Sequence, residues 1–200
     1  QKIHSNHRLY ESDMNPVFRC LEENYLGKEA PKLNVAFFDI EVDFDPERGY
    51  ASPDDAFMPI TAIAVHLQWL DTLVCLAVPP KTLTIEQAHE QVKDFPNTIL
   101  FETEHEMLNT FLDLIQDADV LSGWNSEGFD IPYTVNRVTK VLSKEDTRRF
   151  CLWDSYPKKR EYEKYGKTAI TYDLVGRVHL DSLELYRKYT YEERHTYRLD

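Results

Sequence analysis

Hydrophobic spacing divides the chain into distinct stretches. Residues 33–40 (LNVAFFDI) form a dense apolar run rich in Val and Phe, the pattern of a central strand. Acidic, Pro-rich sequence follows, with Asp45, Pro46, Pro53, Asp54 and Pro59, and predicts a loop. Two β-rich runs, residues 60–69 and 72–78, are separated by Leu70 and Asp71, which predicts a hairpin and, with the first run, three antiparallel strands. The period then changes. Thr84 with Gln87, and Thr103 with Glu106, each match a capping box, a hydroxyl at the N-cap with Glu or Gln three residues on. Behind the second box, Met107, Leu108, Phe111, Leu112 and Ile115 fall on one helical stripe, which reads as core. Val120 and Leu121 begin a short strand ending at Gly123. Residues 131–142 read as helix, with Pro132 near the first turn, where a missing N–H costs least, and with Ile131, Val135, Val138 and Leu142 on the buried face. Residues 158–174 predict a hairpin turning at Gly166, residues 178–180 a short strand and residues 181–189 a short helix.

Three meandering strands followed by helix-linked strands make a mixed α/β chain with an inserted β-hairpin, and fit a ribonuclease H-like sheet better than a doubly wound one. No G-x-G-x-x-G or G-x-x-x-x-G-K occurs, so dinucleotide and P-loop readings have no support. Composition narrows the class further. With 200 residues, 42% of them hydrophobic and 12% aromatic, the chain can bury one sizeable core and is not a disordered segment. The longest apolar run, residues 73–78, is six residues against about 20 for a membrane span. The first residue is Gln1 with no signal-like stretch behind it, which suggests an excised fragment. Cys20, Cys75 and Cys151 are far apart in sequence and are expected to be free thiols in a reducing cytoplasm.

The formal net charge of -12 argues at first against a nucleic-acid partner. That charge is uneven: residues 1–142 carry 10 basic and 24 acidic side chains, whereas residues 143–177 carry 9 basic and 6 acidic. Asp39 and Glu41 close the first strand two residues apart, so both side chains leave it on one face. Two like charges side by side are costly unless a cation neutralises them, and hard oxygen ligands of this kind suit Mg²⁺ or Mn²⁺. An exposed strand end in an acidic protein explains the same D-x-E. A second motif, Ser122-Gly123-Trp124-Asn125-Ser126-Glu127-Gly128-Phe129-Asp130, bridges a strand end and a helix start. There Asp130 can point back across the sheet edge toward Asp39, in the strand-end crevice where α/β sheets gather their sites.

These residues carry a resemblance. Asp39-Ile40-Glu41, followed about 85 residues later by Asn125-x-x-x-Phe129-Asp130, resembles the first two motifs of the proofreading 3′→5′ exonuclease of family B DNA polymerases. Tyr10-Glu11-Ser12-Asp13 with Arg19 is similar to the family's lead-in segment. Polymerases of large tailed phages are resembled especially closely by Gly123-Trp124-Asn125, Phe129-Asp130-Ile131-Pro132-Tyr133 and Asn136-Arg137. So they are by Tyr165-Gly166, Ile170-Thr171 and Leu180-Asp181-x-x-x-Leu185-Tyr186-x-Lys188. The domain reading is the tail end of an N-terminal domain or a lead-in segment over residues 1–32, and a 3′→5′ exonuclease domain over 33–200, cut before its third motif.

The resemblance implies a four-carboxylate nuclease with two Mg²⁺ or Mn²⁺ ions about 3.5–4 Å apart, one activating water and one stabilising the leaving 3′ oxygen. Asp39, Glu41 and Asp130 would be the catalytic carboxylates and metal ligands. Asn125 and Phe129 would grip the single-stranded primer 3′ end by hydrogen bonding and stacking. The basic stretch falls where phage relatives carry a hairpin that helps transfer the primer end between sites, so Lys158, Lys159, Arg160, Lys164 and Lys167 could touch the DNA backbone. Implied partners are primer-template DNA, the remaining polymerase domains and, through regions outside this chain, a sliding clamp. The implied setting is the cytoplasm of a bacterial or phage-infected cell.

The family's third motif, Tyr-x-x-x-Asp, is not found in its place: Tyr50 and Asp54 have the spacing but precede the second motif, and residues 197–200 are one residue short. A related exonuclease class uses His-x-x-x-x-Asp, which His195 and Asp200 match, but His66 with Asp71 and His89 with Asp94 match as well. Two further alternatives are a catalytically incompetent DNA-binding or interaction module of the same fold, and a generic nuclease or transposase of ribonuclease H-like fold.

Overall fold

The computed structural model describes residues 14–164, 166–190 and 196–198. The chain divides into two units, Gln1–Lys32 and Leu33–Asp200. The first contains α1 (Pro16–Tyr25), which hydrophobic spacing alone does not predict. Its start is set locally: Asn15 accepts the Val17 N–H and Pro16 occupies the first turn, where no donor is needed. None of its residues is buried.

The second unit is built on a six-stranded sheet. Its elements run β1 (Val35–Val42), β2 (Ile60–Leu67), β3 (Thr72–Ala77), α2 (Ile85–Val92), β4 (Thr98–Leu100), α3 (Glu104–Leu114), β5 (Val120–Gly123), α4 (Asp130–Val141), β6 (Lys158–Lys164), β7 (Lys167–Asp173), β8 (Val178–Asp181) and α5 (Ser182–Tyr189). In space the order is β4-β3-β2-β1-β5-β8, with β6 and β7 as a separate two-stranded hairpin. β2 runs antiparallel to both β1 and β3, giving the three-stranded meander, while β5 and β8 add in parallel. This is an α/β mixed sheet of the ribonuclease H-like kind.

Three details depart from expectation. β4 is only three residues long, too short to leave a periodic trace, and pairs in parallel with β3. The capping box at Thr84 is complete, but at Thr103 the hydroxyl takes the Glu106 N–H while the Glu106 carboxylate turns to that same hydroxyl. The connection between β2 and β3 is a 3₁₀ turn, Gln68–Leu70, closed by Asp71 at a left-handed φ of 48°.

The core lies on one face of β1, where Ala36, Phe38 and Ile40 meet α3 and α4. Phe38 packs on Phe111 at 5.2 Å between ring centroids, and Met107, Leu108 and Leu112 complete the stripe. α4 is clamped to the loop before β2. Arg137 makes a two-pronged ion pair with Glu104 and donates to Ala56 O and Phe57 O, while Tyr133 donates to Met58 O. Asn136 donates to Pro53 O and accepts from the Tyr172 hydroxyl of β7.

Candidate active site

β1 presents its alternate residues Phe37, Asp39 and Glu41 on the face away from the core, all three exposed. The strand runs on to Val42, so both carboxylates stand inside it. β5 pairs with β1 only over Val35–Phe37 and ends at Gly123. Beyond that point one edge of β1 has no strand beside it among the described residues. Gly123 sits at the crossing because any Cβ there would meet the Phe38 carbonyl oxygen at 2.6 Å.

The chain then loops through residues 124–129 and returns as α4, whose first residue is Asp130. Its Oδ1 accepts the Ile40 N–H at 3.1 Å, so a carboxylate takes the place of the missing strand and lies next to Asp39. Asp130 is 3% exposed. Burial, then the Asp39 charge, push its pKa up to about 7, and the Ile40 hydrogen bond only partly opposes them. Partial desolvation also raises the Asp39 pKa from its ordinary value. Among the described residues no Lys, Arg or His forms an ion pair with Asp39, Glu41 or Asp130.

The loop is held by a residue that the carboxylate pattern does not single out. The Asp181 carboxylate, at the end of β8, accepts the N–H groups of Asn125 (3.1 Å) and Glu127 (2.9 Å) and also caps α5 through Leu183 (2.9 Å). An Asp directly before a helix is the sequence signal for the cap; nothing local signals its reach to the loop. His179 meets the fully buried Ser126 hydroxyl at 2.9 Å, and burial lowers its pKa. Trp124 donates from its indole to Tyr197 O at 2.7 Å and packs on Tyr186.

Asn125 sits at φ 57°, a left-handed position that Asn tolerates, so the backbone accounts for its residue type without DNA. Phe129 is partly buried, packed on the core with its ring 5.3 Å from Tyr133. Lys158 and Lys159 are exposed at the start of β6. Arg160 is not a free cation: it pairs with Glu127 and Asp173. His195 and Asp200 lie outside the described residues, as do the side chains of Lys164 and Lys167. A groove of about 390 Å³ runs beside Asp39, lined by Phe37, His66, Leu73 and Trp124 among others.

The donor set fits a divalent cation in kind: three carboxylates with hard oxygen donors, one of them deeply buried, with no protein cation among the described residues to balance them. Among the described residues, no group of three or more His, Cys, Asp or Glu side chains is drawn together tightly enough to hold a metal ion.

A six-stranded mixed sheet with carboxylates at the parting of β1 and β5 defines an α/β protein of the ribonuclease H-like class. Residues 4–200 match the family described as DNA polymerase family B, exonuclease domain, and the chain belongs to that family. It is similar to the DNA-directed DNA polymerase of Escherichia phage RB69, 32% identical over 84% of this chain and 20% of the relative. It is similar also to that of Enterobacteria phage T4, 29% identical over 58% of the chain and 13% of the relative. A DNA polymerase catalytic subunit of Saimiriine herpesvirus 2 is 29% identical over 58% of the chain and 11% of the relative. The chain thus spans about a fifth or less of the length of these relatives.

Proposed function

We propose that this domain is a proofreading 3′→5′ exonuclease that removes mispaired nucleotides from a primer 3′ end, working beside the polymerase domains of the intact protein. The observation that carries the reading is the buried Asp130 carboxylate, seated on the Ile40 N–H beside Asp39. A structural remnant has no need for two acidic side chains whose charges oppose each other at a sheet edge. The reaction is hydrolysis. Water oxygen bonds to phosphorus as the water gives up a proton, the bond from phosphorus to the 3′ oxygen of the penultimate nucleotide breaks and that oxygen takes up a proton, and a nucleoside 5′-monophosphate leaves.

When bound, two Mg²⁺ or Mn²⁺ ions held by Asp39, Glu41 and Asp130 would supply charge to activate water and to stabilise the leaving oxygen. The chain's own residues set up that site. Asp181 holds the loop, Gly123 lets β5 meet β1 closely enough for Asp130 to reach Ile40, and the apolar groove beside Asp39 offers rings to an unpaired base. Substituting Asp39→Ala or Asp130→Ala in the intact protein is expected to abolish Mg²⁺-dependent trimming of single-stranded 3′ ends. Trimming that survives both substitutions overturns the assignment.

A second reading, a DNA-holding module without catalysis, is favoured by one fact: no three described ligand side chains are gathered for a metal. Calorimetric titration with Mn²⁺ separates the two. Heat that disappears in Asp39→Ala supports the nuclease, and no heat in the unsubstituted protein supports the module.

A further inference from the structure

We propose that Arg160 is a positioning residue that latches the β6–β7 hairpin to the loop presenting Asn125, Phe129 and Asp130. Its consequence for catalysis rests on the exonuclease reading above; its structural consequence does not.

Arg160 lies on β6, and its guanidinium faces two ways. Nη2 pairs with Glu127 Oε1 at 2.5 Å, while Nε pairs with Asp173 Oδ1 on β7 at 2.9 Å. Asp173 fixes the guanidinium to the hairpin, and Glu127 is the point where the hairpin grips the loop. That grip is passed on. The Glu127 N–H is held by one oxygen of Asp181 and the Asn125 N–H by the other, and Asp130 follows three residues after Glu127. A shift at Glu127 therefore strains the segment that seats Asp130 on β1.

The contact between the hairpin and the loop is not close-packed at this point. A polar cavity of about 180 Å³ lies between them, lined by Glu127, Arg160, Asp173, Arg177, His179 and Asp181 among others. Arg177, in the cavity wall, is 7% exposed, and its Nε has no hydrogen-bond partner among the described residues. The hairpin has a separate anchor, the Tyr172 hydroxyl on Asn136 of α4 at 2.6 Å. Anchored at Tyr172 and latched at Arg160, the hairpin can release the loop without detaching from the domain.

The test uses the intact polypeptide carrying these residues, labelled with 5-fluorotryptophan and observed by ¹⁹F NMR in chelator. Trp124 stands in the loop three residues before Glu127, and its resonance is assigned with Trp124→Phe. Arg160→Gln and Glu127→Gln are each expected to shift the Trp124 resonance while that of Trp69, on the 3₁₀ turn after β2, stays in place. The double variant should shift no further than either single one, and Arg160→Lys should recover part of the change. On single-stranded 3′ ends, each single variant should lower kcat about two- to fivefold, the range for a half-exposed ion pair, with KM unchanged and no further decrease in the double. An unmoved Trp124 resonance, additive shifts, or equal movement of Trp69 overturns the latch. The ¹⁹F pattern without any exonuclease activity upholds the latch and removes the nuclease reading instead.

Discussion

The buried Asp130 carboxylate makes a prediction about stability that needs no substrate. Its ordinary pKa is 3.8, and in the folded chain it rises to about 7. A folded value above the unfolded one means that the folded state holds the proton more tightly. The stabilisation this gives is fully present below pH 3.8 and is lost as pH rises through about 7. About three pH units at 1.36 kcal/mol each put the loss on the order of 4 kcal/mol, a large share of the stability of a typical domain.

Asp130→Asn keeps an oxygen to accept the Ile40 N–H and never ionises. In chelator, the variant and the unsubstituted protein should therefore have nearly equal stability at the acid end. The variant should gain progressively from about pH 4 to about pH 7 and keep a constant advantage above that. Urea unfolding between about pH 4.5 and about pH 8.5 reads the gap directly through the midpoint at constant slope. A divalent cation should narrow it. Saturating Mg²⁺ or Mn²⁺, at about a hundredfold its dissociation constant, returns about 2.7 kcal/mol to the protein that binds it and nothing to a variant that does not. A gap independent of pH, or a variant less stable at about pH 8, would refute the reasoning.

Gly123→Ala places a methyl 2.6 Å from the Phe38 carbonyl oxygen, and since both sides of that approach are strand backbone it should cost about 1–3 kcal/mol in urea unfolding; a neutral result would mean that β1 and β5 part freely. Glu104→Gln removes the charge facing Arg137 in a pair only 14% and 12% exposed, and should cost about 3 kcal/mol by the same measurement, whereas a cost below about 1 kcal/mol would show the two carbonyl hydrogen bonds of Arg137 to be sufficient. Replacing Lys158 and Lys159 together by Ala should weaken single-stranded DNA binding by the intact protein and flatten its log–log salt dependence by about 0.7 for each phosphate no longer neutralised, with an unchanged slope showing that neither lysine meets the backbone.

Much of this was legible because it depends on local chemistry or on period. The alternation of Ala36, Phe38 and Ile40 against Phe37, Asp39 and Glu41 is visible in eight residues and already places both carboxylates on one face. Thr84 carries its cap in its own neighbours, and Asp130 announces a helix start. What escapes depends on distant partners or on very short elements. β4 has three residues, and α1 buries none. The grip of Asp181 on Asn125 and Glu127 spans more than fifty residues, and no local pattern encodes it. Asn125 draws attention for its side-chain amide, yet its left-handed φ explains the residue type from the backbone alone.

The basic stretch shows most clearly why residue type underdetermines role. Counted as charge, residues 143–177 look like a surface for phosphate. In the fold, Arg148 pairs with Asp154, Arg149 with Asp113, and Arg160 with Glu127 and Asp173, while Arg177 donates to the carbonyls of Arg149 and Gln116. These arginines hold the hairpin and its neighbouring turns in place against an acidic domain. Arginine suits that work, because its fork can satisfy two acceptors at once where lysine offers a single point charge. Lys158 and Lys159, exposed at the start of β6, have the chemistry left over for a mobile phosphate backbone. The acidity of the domain follows a similar division. Glu104 faces Arg137, Asp113 faces Arg149, and Asp181 binds backbone N–H groups, whereas Asp39, Glu41 and Asp130 have no protein cation among the described residues. A net charge of -12 therefore does not by itself oppose a nucleic-acid substrate here, because three of the carboxylates without a described protein cation, Asp39, Glu41 and Asp130, are placed at the sheet edge where a divalent ion would stand between them and a phosphate.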